Sequence, residues 1–184
     1  MHILLNPFFE SGVEAVNGMA GARDSGKPGH PRMSKTAIIG IGNILMSDDG
    51  AGVRVLEYLD GQGLPEGAVI IELAAGGMAL LHHLEKYDRV IIADAVDFGG
   101  TPGEIRVFSP DEVTTIKTVG YSLHDLDILK VLELSKKLGT LPGVVVVAAV
   151  QPARLEMGEG LTSDVEGALP ELARKIVALA RSWH

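Results

Sequence analysis

Val144-Val145-Val146-Val147-Ala148-Ala149-Val150 is the stretch on which the fold turns. It holds no polar position, whereas a strand with one face in water alternates apolar and polar side chains. An uninterrupted apolar strand belongs in a sheet covered on both faces, and such sheets are largely parallel. The run is also far shorter than the roughly 20 residues needed to cross a bilayer.

The same grammar extends outward. Upstream, residues 124–138 read as a helix closed by Gly139, the residue type best suited to the left-handed conformation just past a helix end. Downstream, residues 163–182 read as a final helix, expected to kink at Pro170. Earlier in the chain, apolar strands are expected at residues 37–41, 68–73 and 89–95. Helices are expected between them at 49–59, with Val53, Leu56, Tyr58 and Leu59 on one side, and at 78–84. Strand and helix in alternation mean a parallel sheet with helices on both faces. The link from the third strand to the fourth, residues 104–108, is too short for a crossover helix, so the fourth strand must run antiparallel. The expected fold is therefore α/β: a three-layer sandwich around a five-stranded, mostly parallel twisted sheet with one antiparallel strand.

Residues 1–34 have a different texture. Residues 17–31 are crowded with Gly, Pro and polar side chains and cannot bury a face. They are expected to be a disordered leader, or a mis-assigned start with initiation at Met33. Residues 35–184 then make one domain, long enough to enclose a real core. Residues 1–10 show neither the basic region nor the cleavage site of a secretory signal, so a cytoplasmic location is expected. Sixteen basic against twenty-four acidic side chains leave a net charge of −8. That balance argues against nucleic acid or an anionic membrane surface as partner. There is no cysteine, which removes disulfides, a thiolate nucleophile and any thiolate metal site. A metal here must be met by oxygen and imidazole nitrogen.

In open α/β sheets, ligands gather beyond the carboxyl ends of the parallel strands. Three polar stretches fall on that edge. The first strand runs into Gly42-Asn43-Ile44-Leu45-Met46-Ser47-Asp48-Asp49-Gly50, the third ends at Asp94, and Ser122-Leu123-His124-Asp125 opens the long helix. Each has a plain structural use. Ser47 or Asp48 can cap the first helix, and Ser122 with Asp125 has capping-box spacing. Asp94 is harder to dismiss, because a charge ending a buried strand needs a partner or a metal. Together, two carboxylates and one imidazole suit nickel, zinc, cobalt or manganese without choosing among them. Rival motifs fail. Leu45 stands where a dinucleotide fingerprint needs its third glycine, no Gly-x-Ser-x-Gly elbow is present, and His82-His83 lacks the spacing of a zinc-protease helix.

Residues 40–52, Gly-Ile-Gly-Asn-Ile-Leu-Met-Ser-Asp-Asp-Gly-Ala-Gly, resemble the opening signature of the nickel–iron hydrogenase maturation endopeptidases. The likeness continues through Gly76-Gly77-Met78, Ile91-Ile92-Ala93-Asp94-Ala95, Pro102-Gly103-Glu104-Ile105, Ser122-Leu123-His124 and Gln151-Pro152, in order over residues 36–182. The resemblance implies an endopeptidase that removes the C-terminal extension of a hydrogenase large-subunit precursor after nickel insertion. It places the metal contacts on Asp49, Asp94 and His124, with Asp49 and Asp94 as candidate catalytic carboxylates. The nickel would come with the precursor, and other divalent metals could occupy the same ligands. The large-subunit precursor is the implied partner, met by a monomer, with no nucleic acid or membrane involved. Two departures stand out: residues 1–34 have no counterpart, and Glu72-Leu73-Ala74-Ala75 replaces an acid followed by small glycine-rich residues. A non-cleaving, nickel-dependent maturation chaperone, or a related peptidase acting on another precursor, would use the same three ligands.

Overall fold

The strands form where the apolar runs lie, and their partners explain why those runs do not alternate. The computed structural model describes residues 35–74, 77–109 and 123–184, with the backbone alone for 123–127. The expectation for residues 1–34 lies outside the described residues. Five strands make one sheet: β1 (Thr36–Ile41), β2 (Val69–Leu73), β3 (Arg89–Ala95), β4 (Ile105–Phe108) and β5 (Val144–Val150). Their order is β2-β1-β3-β5-β4. All neighbours pair in parallel except β4, which runs antiparallel to β5 from Ile105 opposite Val150 to Phe108 opposite Val147. The mixed three-layer architecture read from the sequence is the one observed.

Alternate residues of each central strand feed two separate cores. Ile38, Ile91, Ala93, Val146 and Ala148 pack under α1 (Ala51–Arg54) and α4 (Ser163–Ser182), whose Val165, Leu169, Leu172 and Ile176 are buried. Ala37, Ile39, Val90, Ile92, Val145 and Val147 pack under α2 (Gly77–Leu84) and α3 (Leu123–Leu138). Both faces being dry, both sets of positions must be apolar. A fully buried Ile or Leu contributes about 1.5–3 kcal/mol by leaving water, so these double-sided strands are the main source of stability.

Boundaries match the expectation to within a residue, with one difference in kind. Residues 49–59 do not form a regular helix. A 3₁₀ turn at Ser47–Gly50 leads into the single α turn of α1, and a second 3₁₀ turn follows at Val55–Tyr58. Gly50, Gly52, Val53 and Val55 are all weak helix formers, and short 3₁₀ turns are the usual resort of such a stretch. By contrast α4 runs unbroken through Pro170. No helix among the described residues is long and apolar enough to cross a membrane.

Candidate functional site

The two acids singled out at the carboxyl edge are both there, and both are buried. After Ile41 the chain turns through Gly42 at φ 143°. A Cβ on Gly42 would stand 1.8 Å from the Asp49 carbonyl oxygen, so only glycine allows the loop to fold back this tightly. Asp49 closes the loop with its own side chain, Oδ2 accepting the Asn43 N–H at 2.8 Å. Among the described residues nothing donates to its other oxygen. Gly52 then lets α1 lie directly on the sheet, since a Cβ there would fall 2.2 Å from the Ile41 carbonyl oxygen and 2.3 Å from that of Ala93. The glycines of the 40–52 signature are thus packing residues that hold Asp49 over the ends of β1 and β3.

Asp94 is the penultimate residue of β3, level with Ala149 of β5. Its Oδ1 accepts the Ala95 N–H at 2.9 Å. Strand alternation puts it on the face of Val90 and Ile92, the face that α2 and α3 cover. His124 falls in the first turn of α3, and its side chain lies outside the described residues, as does Ser122. Among the described residues no three His, Cys, Asp or Glu side chains group closely enough to hold a metal ion.

Sheet order brings the strands that carry these two acids side by side. The chain leaves β1 through α1 on one face to reach β2, then returns through α2 on the other face to β3. β1 and β3 are neighbours; β1 exits into α1 on one face, while the segment leaving β3 carries Val96 and Phe98 on the other, the arrangement at which open α/β sheets bind ligands. Asp49 follows β1 and Asp94 ends β3, so each acid stands at the carboxyl end of one of these two strands.

The reading of Ser47 or Asp48 as a helix cap is corrected by the structure: no side-chain hydrogen bond caps either the 3₁₀ turn or α1. Asp48 is fully buried and clamps a distant segment instead. It accepts the N–H groups of Ala153 and Arg154 at 2.9 Å each, that of Thr162 at 2.7 Å, and the Thr162 hydroxyl at 2.9 Å. A carboxylate so surrounded satisfies donors that would otherwise be stranded in the interior. Ser47, at φ 52°, adds its hydroxyl to the Glu156 carbonyl at 3.0 Å. The loop after β1 and the loop after β5 are thereby one body.

Gln151, quoted in the sequence reading only as part of a motif, plays a matching part beside Asp94. Its Oε1 accepts the N–H groups of Phe98 and Gly100, both at 3.0 Å, while its Nε2 donates to Asp97 Oδ1 at 3.0 Å. It ties the segment after β3 to the end of β5. The legible signal was its place: a buried amide one residue past an all-apolar strand has no neighbours to satisfy it except loops. Glu104 finishes this segment, with the Thr101 N–H and the Arg106 guanidinium holding its carboxyl below the usual range.

Fold and site together define an α/β protein with a thiolate-free pair of buried carboxylates at its topological switch point. The chain belongs to the hydrogenase maturation protease family, whose pattern matches residues 53–179. It is 34% identical over 160 residues to the hydrogenase expression/formation protein HupD of Rhizobium leguminosarum bv. viciae, covering 84% of this chain and 78% of that one. It is likewise 34% identical to the hydrogenase 2 maturation protease of Escherichia coli, over 79% of this chain and 90% of the relative. The solved hydrogenase maturating endopeptidase HybD from E. coli superposes with a TM-score of 0.71 at 32% identity, covering 80% of this chain and 92% of that structure.

Proposed function

We propose that this protein removes the C-terminal extension from a nickel–iron hydrogenase large-subunit precursor after nickel insertion, reading the precursor's nickel through Asp49, Asp94 and His124. Hydrolysis of a peptide bond in hydrogenase maturation comes with the family. The large-subunit precursor, the C-terminal cut and the nickel are our reading. One observation carries it: two buried carboxylates stand at the carboxyl ends of the neighbouring strands β1 and β3 in a chain without cysteine. Hard oxygen donors and one imidazole can touch a nickel that softer ligands of the precursor already hold, without extracting it. The site then inspects the metal rather than competing for it.

Chemically, a water placed between the acids attacks the scissile carbonyl, and a carboxylate accepts its proton and returns it to the departing amine. Asp49 is suited to this by the oxygen to which nothing among the described residues donates, and Asp94 by its place at the end of the neighbouring strand. The precursor's metal can share the work by polarising the carbonyl or the water. The protein acts as a cytoplasmic monomer in a transient complex with its precursor.

Purified protein incubated with nickel-loaded precursor and followed by intact mass tests this reading. Loss of a C-terminal peptide, dependent on nickel, is the expected result. A stable complex with no change of mass would replace it with the chaperone reading.

A further inference from the structure

The loops at the carboxyl edge hold a feature that neither acid explains. Leu45 is 57% exposed, Ile44 44% and Met157 86%, yet the backbone beneath them is closely fastened. The Gly158 N–H donates to the Leu45 carbonyl at 3.0 Å and the Ser47 N–H to the Gly158 carbonyl at 2.9 Å. Met46 and Gly158 pair as a parallel bridge, and the Asp48 clamp anchors both ends of the 153–162 segment. This short ribbon holds Leu45 and Met157 on neighbouring strands, pointing away from two cores that are already closed.

We infer that Ile44, Leu45 and Met157 form a rigid apolar platform on which the precursor's polypeptide docks through apolar side chains flanking the scissile bond. The inference rests on the reading under Proposed function that the substrate is a large-subunit precursor. The occupant follows from position. Asp49 closes the same loop through the Asn43 N–H, one residue before Ile44, so a peptide bond brought to Asp49 carries its neighbours across the platform. The Leu45 N–H also donates to Asn43 Oδ1 at 3.0 Å, so the platform is fastened to the same residue that Asp49 holds. Arg154 and Glu156, the charges that precede Met157 in the chain, lie 3.9 Å from each other. Their opposite signs favour neither an acidic nor a basic partner, so the platform selects for apolar surface. Exposed apolar groups held rigidly beside a polar site are the usual mark of such docking. Of the other exposed apolar residues among those described, Tyr58, Val69, Ile70, Met78, Leu134 and Leu138, none belongs to the loop that Asp49 closes.

The test compares the full-length protein with a Leu45→Asp/Met157→Asp double variant and a conservative Leu45→Met/Met157→Leu variant, all on nickel-loaded precursor. For the aspartate variant, KM is expected to rise about tenfold or more, since two apolar contacts are lost. Its kcat should stay within about twofold, because no transition-state contact is touched. The conservative variant should match the parent. An unchanged KM, or a loss confined to kcat, overturns the platform while leaving the cleavage reading intact. If the parent does not cut the precursor, the cleavage reading falls, and calorimetric titration with the same precursor decides the platform. Binding weakened about tenfold in the aspartate variant upholds it; equal or absent binding in both proteins overturns it.

Discussion

The two edges of this sheet use their polar groups for opposite purposes. At the amino edge they close the structure: the Lys35 N–H donates to Asp88 Oδ2 at 3.2 Å, Thr36 Oγ1 is hydrogen-bonded to His184 Nε2 at 3.2 Å, and Arg89 donates to the Trp183 carbonyl. At the carboxyl edge the same kinds of group are divided. Asp48 and Gln151 lock loops to each other, framing the loop that carries Asp49 and the segment that follows Asp94. The adjacent acids of one loop show the division most sharply: among the described residues Asp48 accepts from four donors, while the Asp49 side chain accepts one backbone N–H. A rigid frame around an incompletely bonded carboxylate is what a site needs in order to meet a ligand without collapsing onto its own backbone.

Substitutions can break that division, and the largest effect is expected at Asp49 and Asp94. Asp94→Ala or Asp49→Ala should lower precursor processing by about 100-fold or more, in line with loss of an acid–base group. Far-ultraviolet circular dichroism should stay that of the parent. Normal processing by either variant would remove the site assignment. Next comes the packing that holds Asp49 in place. Gly52→Ala drives a Cβ into the carbonyl oxygens of Ile41 and Ala93 and should cost about 3 kcal/mol in urea unfolding, as overpacking does.

Asp48→Ala strands three backbone N–H groups and should cost about 2–3 kcal/mol, given the penalty for buried donors left without partners. Faster proteolysis within residues 153–162 should accompany it, and a stability equal to the parent's would show that the clamp is dispensable. The smallest effect is expected from His83, away from both edges' networks. Burial, then Lys86, then His82 depress its pKa below the ordinary 6.5. The folded state thus favours the neutral ring, and the sign follows from that. This contribution is present above about pH 6.5 and is lost as pH falls through the depressed value. His83→Gln should flatten a slight fall of Tm on acidification, and an unchanged pH profile would argue that other groups set it.

Much of this was legible in the residues. The unbroken run 144–150 required a sheet with two dry faces, and the short link after β3 required an antiparallel β4; both follow from local rules of burial and connection. Asp49 and Asp94 were legible as edge residues because each ends an apolar strand or opens the loop beyond one. Asp48 was not, because its partners lie more than a hundred residues away and nothing local marks Ala153 or Thr162 as donors. The irregular first helix was missed for a similar reason: its apolar spacing is helical, while close contact through Gly52 and weak local propensity hold it to one α turn.

What the sequence alone determined, then, is a double-faced parallel sheet, a thiolate-free chemistry and the carboxyl edge as its place. Only the tertiary structure decided that β1 and β3 are neighbours, and that adjacency puts two acids forty-five residues apart at the ends of adjoining strands. Strand order is set by the packing of whole layers, which no single stretch encodes. The division between the clamping Asp48 and the available Asp49 was settled in the same way, because a carboxylate's role depends on which donors the folded chain brings to it.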